Sequence, residues 1–138
     1  MDEIETLAGE LNSVAIHLVR RLRREDESLG ITPARLSALS VLVFGGPHSI
    51  SRLAEAEQVA PPTMSKIVSA LEQAGLVGRQ PDPSDGRAVV LSVTREGRAF
   101  MERGRRQRVE RLASELANLP DPDLAALRKA VGILRSIE

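Results

Sequence analysis

The apolar positions of the chain recur in steps that change character along its length. Between Asp2 and about Asp26 they are Ile4, Leu7, Leu11, Val14, Leu18 and Leu22, spaced 3, 4, 3, 4 and 4. Side chains three and four apart share a helix face, so this spacing predicts one long amphipathic helix with a heptad-like seam, widened at its end by Ile16 and Val19. A single helix cannot bury its own apolar face. It must lie on the body of the chain or on a second copy.

Ser28-Leu29-Gly30 breaks the pattern, and Thr32-Pro33 marks a new helix start. Threonine can cap, and proline at the first helical position gives up a donor that has no intrahelical partner there. Leu36, Leu39, Val41, Leu42 and Val43 fill that helix, and Gly45-Gly46-Pro47 stops it. Ser51 is expected to cap a short helix containing Leu53, Ala54 and Ala56, ending near Glu57. After the tight connection Gln58-Val59-Ala60, Pro61-Pro62 opens a helix with Met64, Ile67, Val68 and Leu71 inward; Ala74-Gly75 closes it, glycine suiting a left-handed position.

The period then shortens. Leu76-Val77 and Ala88 to Val93 are β-prone runs separated by Pro81-Asp82-Pro83-Ser84-Asp85-Gly86, almost all turn residues, so the unit reads as a hairpin. Thr94 caps a further helix carrying Phe100, Met101, Val109, Leu112, Leu116 and Leu119; Pro120-Asp121-Pro122 interrupts it, and a last helix follows with Leu124, Leu127, Val131, Leu134 and Ile137. There is no internal repeat and no linker long enough to separate domains. The fold class is therefore mainly α with a small β-hairpin wing, one domain over residues 1–138 with a winged helix-turn-helix lobe at 32–94.

Composition narrows the chemistry. The 138 residues are 42% hydrophobic but only 1% aromatic, namely Phe44 and Phe100, so the core must rest on aliphatic side chains and stacking of single-stranded bases is disfavoured. Cysteine is absent, which removes disulfides, thiolate metal sites and thiol redox switching. No apolar run reaches the roughly 20 residues of a bilayer span, and no signal-peptide core is present, so a soluble intracellular protein with no membrane partner is expected. Phosphate loops, nucleophile elbows and paired-histidine zinc motifs are missing. Acidic groups such as Glu25-Asp26-Glu27 and Glu55 with Glu57 read as solvated helix faces. No catalytic residue, cofactor or metal site is expected; His17 and His48 lack obvious carboxylate companions.

Two helices joined by a three-residue turn and followed by a hairpin suit duplex DNA: the second helix can present its first turns to the major groove while the hairpin reaches the neighbouring minor groove or backbone. With Met64, Ile67, Val68 and Leu71 inward, the helix from Pro61 shows Pro62, Thr63, Ser65, Lys66 and Ser69 outward. Hydroxyls can meet bases or phosphates, and Lys66 can neutralise a phosphate or reach a guanine edge. Ser51 could offer its hydroxyl and N–H to a phosphate. At the hairpin, Arg87 follows Asp85 by two residues, with Arg79 on the first strand, a shape that suits a narrow minor groove. The same features also describe a solvated helix face and a turn with a local ion pair. Charge does not decide between them: residues 47–94 carry 4 basic and 5 acidic groups, and 17 of the 19 cations of the whole chain are arginine, a bias that GC-rich coding also produces.

The segment Asp85-Gly86-Arg87-Ala88-Val89-Val90-Leu91-Ser92-Val93-Thr94 resembles the wing signature of the MarR family (multiple-antibiotic-resistance regulators), with Val93 where that signature has leucine. Leu71-Glu72-Gln73-Ala74-Gly75-Leu76-Val77 resembles the family's end of recognition helix, Asp82-Pro83-Ser84-Asp85 its approach to the wing, and Thr94-Arg95-Glu96-Gly97-Arg98 the start of its next helix. Element order and length agree over essentially the whole chain.

The resemblance implies a homodimeric prokaryotic transcription regulator, mostly a repressor relieved by a small-molecule effector, in the cytoplasm and on the nucleoid when DNA-bound. It implies a pseudo-palindromic double-stranded operator with half-sites on the order of 10 base pairs apart. Arg87 would enter the minor groove, oriented by Asp85, and residues 1–27 and 95–138 would be dimerisation helices. Many relatives carry a second arginine at the position of Gly86, so one phosphate contact is forgone. An effector cleft would be bordered by His17, Arg21, Phe44 and Met101, with Arg20 and His48 nearby. The other reading open at this point is a winged helix that binds a protein and has no physiological DNA contact.

Overall fold

The computed structural model describes residues 2–138. In chain order the elements are α1 (Glu3–Glu27), α2 (Pro33–Gly45), α3 (Ile50–Glu57), α4 (Pro61–Gln73), β1 (Val77–Pro81), β2 (Val89–Val93), α5 (Arg95–Leu116) and α6 (Asp121–Arg135). This is the expected order, mainly helical with one hairpin. The chain divides into two compact units, one up to Gly104 and one from Arg105.

In the first unit the expected punctuation is met at α2. The Thr32 hydroxyl accepts from the Arg35 N–H (3.3 Å) and Pro33 opens the helix. At α3 it differs. The cap is Ser49, whose hydroxyl accepts from the Arg52 N–H (3.2 Å), and Ser51 lies exposed in the first turn. Ser49 holds the extended conformation a cap needs, which leaves Ile50 to start the helix against the core. The α3–α4 turn is tight because Gln58 takes a left-handed conformation (φ 56°), and the Val59 N–H then returns to the Ala54 carbonyl (3.0 Å).

The core is the aliphatic cluster Ala38, Leu39, Leu42, Leu53, Ala54, Met64, Val68, Leu71, Leu76, Val77 and Leu91, gathered from α2, α3, α4 and the base of the hairpin. Ser37 adds a polar tie from α2 to α3, donating its hydroxyl to Glu57 Oε2 (2.7 Å).

The hairpin is antiparallel with Val77 opposite Val93 and Pro81 opposite Val89. Its first strand runs on through Gly78-Arg79-Gln80-Pro81, residues of weak β preference that the ladder to Val89–Val93 holds extended. His48 and Leu91 exchange both backbone hydrogen bonds (3.1 and 2.7 Å), which ties the segment before α3 to the sheet.

Thr94 joins three elements. Its hydroxyl donates to the Gly75 carbonyl (2.7 Å), where φ is 76°, and accepts from the Gly97 N–H (3.0 Å); its own N–H reaches the Leu76 carbonyl (3.0 Å).

The second unit contains the end of α5, the turn through Leu119-Pro120 and α6. No residue of α6 is buried, and Leu127, Val131, Ile133, Leu134 and Ile137 are exposed. Ion pairing between Arg111 and Glu115 (3.3 Å) links successive turns of α5.

Candidate nucleic-acid interface

Helix α4 is amphipathic in the sense the sequence requires. Met64, Val68 and Leu71 are buried, Ile67 is half-buried, and Pro62, Thr63, Ser65, Lys66 and Ser69 are all exposed. The first turns therefore offer three hydroxyls and one ammonium on a single polar surface. Pro61 and Pro62 occupy positions where an N–H would have no helical partner, so this end starts without a side-chain cap.

The wing turn is built by two aspartates. Asp82 Oδ1 accepts from the Ser84 N–H (2.9 Å) and hydroxyl (2.8 Å). Asp85 Oδ1 accepts from the Arg87 N–H (3.1 Å), so Asp85 orients the arginine through its backbone. Backbone bonds from Asp82 N to Ala88 O and from Ala88 N to Asp85 O (both 3.0 Å) complete the turn. Arg87 projects from this frame as an exposed cation. The Ser84 N–H and hydroxyl bonds, helped by the charge of Arg52, hold the Asp82 carboxyl below the usual carboxylate range.

Arg79 is placed differently from the wing tip. It pairs in register with Leu91, and its Nε and Nη2 contact both oxygens of Glu72 at 3.0–3.2 Å. Sequence reading missed this pair because its members lie seven apart across a helix–strand junction.

The effector candidates are dispersed. His17 and Arg21 are exposed on α1, Phe44 is 83% exposed at the end of α2, and Met101 is half-buried against the core. None of the four lines the cavity of about 490 Å³ in the first unit. That cavity has Leu29, Ile31, Leu71 and Leu76 as apolar wall, with Arg35, Glu96, Phe100 and Arg103 around it. The Arg103 guanidinium lies 5.8 Å from the Phe100 ring centroid. Glu96, Phe100 and Arg103 recur at helical spacing, and that was the signal available in the sequence. Among the described residues no group of three acidic or histidine side chains could hold a metal ion, and no helix is long and apolar enough to cross a membrane.

A short helix pair whose second member shows a polar face, followed by a hairpin with a cationic tip, defines a winged helix-turn-helix protein. The MarR family model matches residues 31–89. The chain is 34% identical over 137 residues to the HTH-type transcriptional regulator Mb0904 of Mycobacterium bovis, spanning 99% of this chain and 96% of that protein. The crystal structure of the transcriptional regulator Tm0710 from Thermotoga maritima superposes with a TM-score of 0.85 at 26% identity, covering 96% and 94% of the two chains. A mutant of S. aureus MepR bound to an oligodeoxyribonucleotide has the same fold (TM-score 0.72, 19% identity, 96% and 98% covered). This chain belongs to the MarR family: it is a DNA-binding transcriptional regulator and not an enzyme.

Proposed function

We propose that the chain acts as a homodimer that binds a pseudo-palindromic duplex operator, represses transcription by occupying it, and is released by a small-molecule effector. The lobe at residues 32–94 reads DNA in this proposal, and residues 1–27 and 95–138 form the dimer. The observation that carries the DNA reading is the joint display of the polar surface of α4 and the cationic wing tip by one lobe.

Pro62, Thr63, Ser65, Lys66 and Ser69 meet the major groove, Ser51 a phosphate, and Arg87, set by Asp85, the minor groove. The exposed apolar stripes of α1 and α6 support a partner helix surface, for which a second copy is the economical choice. The cavity bordered by Arg35, Glu96, Phe100 and Arg103, two cations against one carboxylate, supports an effector with an anionic group and an apolar body. His17, Arg21, Phe44 and Met101 belong to the effector response only if ligand binding moves α1, α2 or α5. The regulator would work in the cytoplasm, on the nucleoid when bound.

The test is selection of binding sites from a random duplex library by the purified protein, with Arg87→Ala in parallel. A two-fold symmetric motif that blurs at its minor-groove positions in the variant is the expected result. Equal motifs from both proteins would remove Arg87 from recognition. No enrichment at low salt would favour a protein-binding winged helix, the reading that the net charge of −1 over residues 47–94 supports.

A further inference from the structure

We propose that Arg79 serves DNA recognition as a positioning residue: its forked ion pair with Glu72 fixes the wing relative to helix α4 and so sets the span between the two DNA-reading parts. The inference rests on the preceding assignment of α4 and the wing to DNA.

The geometry is specific. Two guanidinium nitrogens of Arg79 face both carboxylate oxygens of Glu72 at 3.0–3.2 Å, a bidentate arrangement that constrains direction as well as distance. Glu72 sits near the C-terminal end of α4, one turn beyond Ser69, and Arg79 sits at the middle of β1. Between them the chain passes Gly75 at φ 76°, the joint at which helix and hairpin change direction. Val77 anchors the base of β1 in the core, but Arg79, Gln80 and Pro81 are exposed. Along the outer half of β1 its own side chains have left the core while Val90 and Leu91 across the ladder remain buried, so the pair with Glu72 is the tie that runs from β1 itself back to α4.

The same pairing argues against a phosphate contact by Arg79. Its charge is matched and its Nε and Nη2 are held by Glu72, so a phosphate could be met only through Nη1 and would then lie beside the Glu72 carboxylate. Both side chains are partly exposed (46% and 30%), and an ion pair of that kind adds little to folding stability. Its effect lies in orientation. Helix and wing must engage adjacent grooves of one half-site together, and a fixed wing raises the effective concentration of Arg87 at its groove.

Binding of Arg79→Ala, Glu72→Ala and the double variant to duplexes selected by the wild-type protein tests the proposal. Each single variant should raise Kd by a similar factor, on the order of five-fold, and the double variant should be no worse than either. The slope of log Kd against log salt should equal that of the wild type, because no phosphate contact has been lost. Sequence preference should blur where the wing reads and persist where α4 reads. If Glu72→Ala instead binds as tightly as wild type or more tightly, while Arg79→Ala alone weakens binding and lowers the slope by about one, Arg79 is a phosphate contact and the proposal fails.

A second measurement needs no DNA. Residual dipolar couplings of the free protein should give one fixed orientation of β1–β2 against α4 in the wild type and a broadened one in Glu72→Ala. An unchanged orientation in that variant overturns the clamp. Failure of the wild type to bind any duplex would sink the DNA assignment and, with it, the role given to the clamp, even if the couplings confirm that the pair orients the wing.

Discussion

The two ends of the chain and its middle treat apolar residues in opposite ways. In the lobe, Leu39, Leu42, Leu53, Met64, Val68, Leu71 and Leu91 are almost completely buried by one another. On α1, Ile4, Leu7 and Val14 are 73%, 63% and 62% exposed, and α6 buries nothing. Both regions have helical hydrophobic periods, so periodicity alone does not say who buries a face. A closed core with no partner required suits a module that must present a constant surface to DNA. An open stripe suits an element whose stability waits on a second molecule.

The largest expected effect comes from breaking the open side. Leu7→Lys with Val14→Lys places two charges on the exposed seam of α1, four per dimer. At roughly 1 kcal/mol for each apolar side chain withdrawn from the interface, the dimer loses about 4 kcal/mol, a dissociation constant raised about a thousandfold. Sedimentation over a concentration series should show the proposed dimer for the wild type and monomers for the variant. An unchanged mass would mean that the stripe of α1 is not the interface.

The next effect falls on the closed side. A Cβ at Gly97 would lie 2.2 Å from the Leu76 carbonyl oxygen and 2.6 Å from Val93 Cγ2. The first contact is with backbone and cannot be relieved by a rotamer change, so α5 must move off the hairpin base. Gly97→Ala should cost at or beyond the top of the roughly 1–3 kcal/mol range of overpacked interiors. Denaturant unfolding checks this, and a variant as stable as the wild type would show that the α5–hairpin junction is looser than its geometry.

What could be read from the sequence was what short-range chemistry specifies. Thr32-Pro33, Pro61-Pro62, Gly75 and the turn residues from Pro81 to Gly86 each act within a few positions, and each lies at a boundary of the fold. Three features act over longer distances and left no local pattern. The His48–Leu91 bridge joins residues far apart in the chain, the Glu72–Arg79 pair crosses an element boundary, and the choice of Ser49 over Ser51 as cap depends on how Ile50 packs. None of the four side chains expected at an effector cleft lines the cavity, and for Met101 the offset is one residue. Met101 was expected at an effector cleft, whereas its neighbour Phe100 lines the cavity, and one residue along a helix is a rotation of about 100°. For the candidate interface, the exposed face of α4 and the wing arginine were legible because helical and strand periods sort side chains by face. The connection between the two was not.

A smaller effect sharpens the account of the lobe's tight turn. Gln58 holds φ 56° and ψ 43°, a conformation that costs a residue with a Cβ about 1 kcal/mol and glycine almost nothing. Glycine also gains freedom in the unfolded chain, which offsets part of the benefit. Gln58→Gly should therefore stabilise the lobe by a few tenths to about 1 kcal/mol in denaturant titration. Destabilisation would mean that the glutamine side chain makes a contribution its backbone strain conceals.

The smallest expected effect is on the wing and shows as pH dependence. Asp82 holds the turn most strongly as a carboxylate, since Oδ1 accepts two hydrogen bonds from Ser84 and the ionised oxygen is the stronger acceptor. Those bonds favour the charged form, so its pKa in the folded chain lies below its unfolded value. A depressed carboxylate contributes order that is fully present above the unfolded pKa and is lost as pH falls through the lower folded one. The Ser84 amide should therefore keep its chemical shift through the range where ordinary carboxylates protonate, and change only in more acid solution. In Asp82→Asn the uncharged amide oxygen still accepts from Ser84, and the acid transition at that position should vanish while the rest of the lobe titrates as before. A Ser84 amide that shifts at the ordinary carboxylate pKa would show that the Ser84 bonds do not favour the charged form of Asp82.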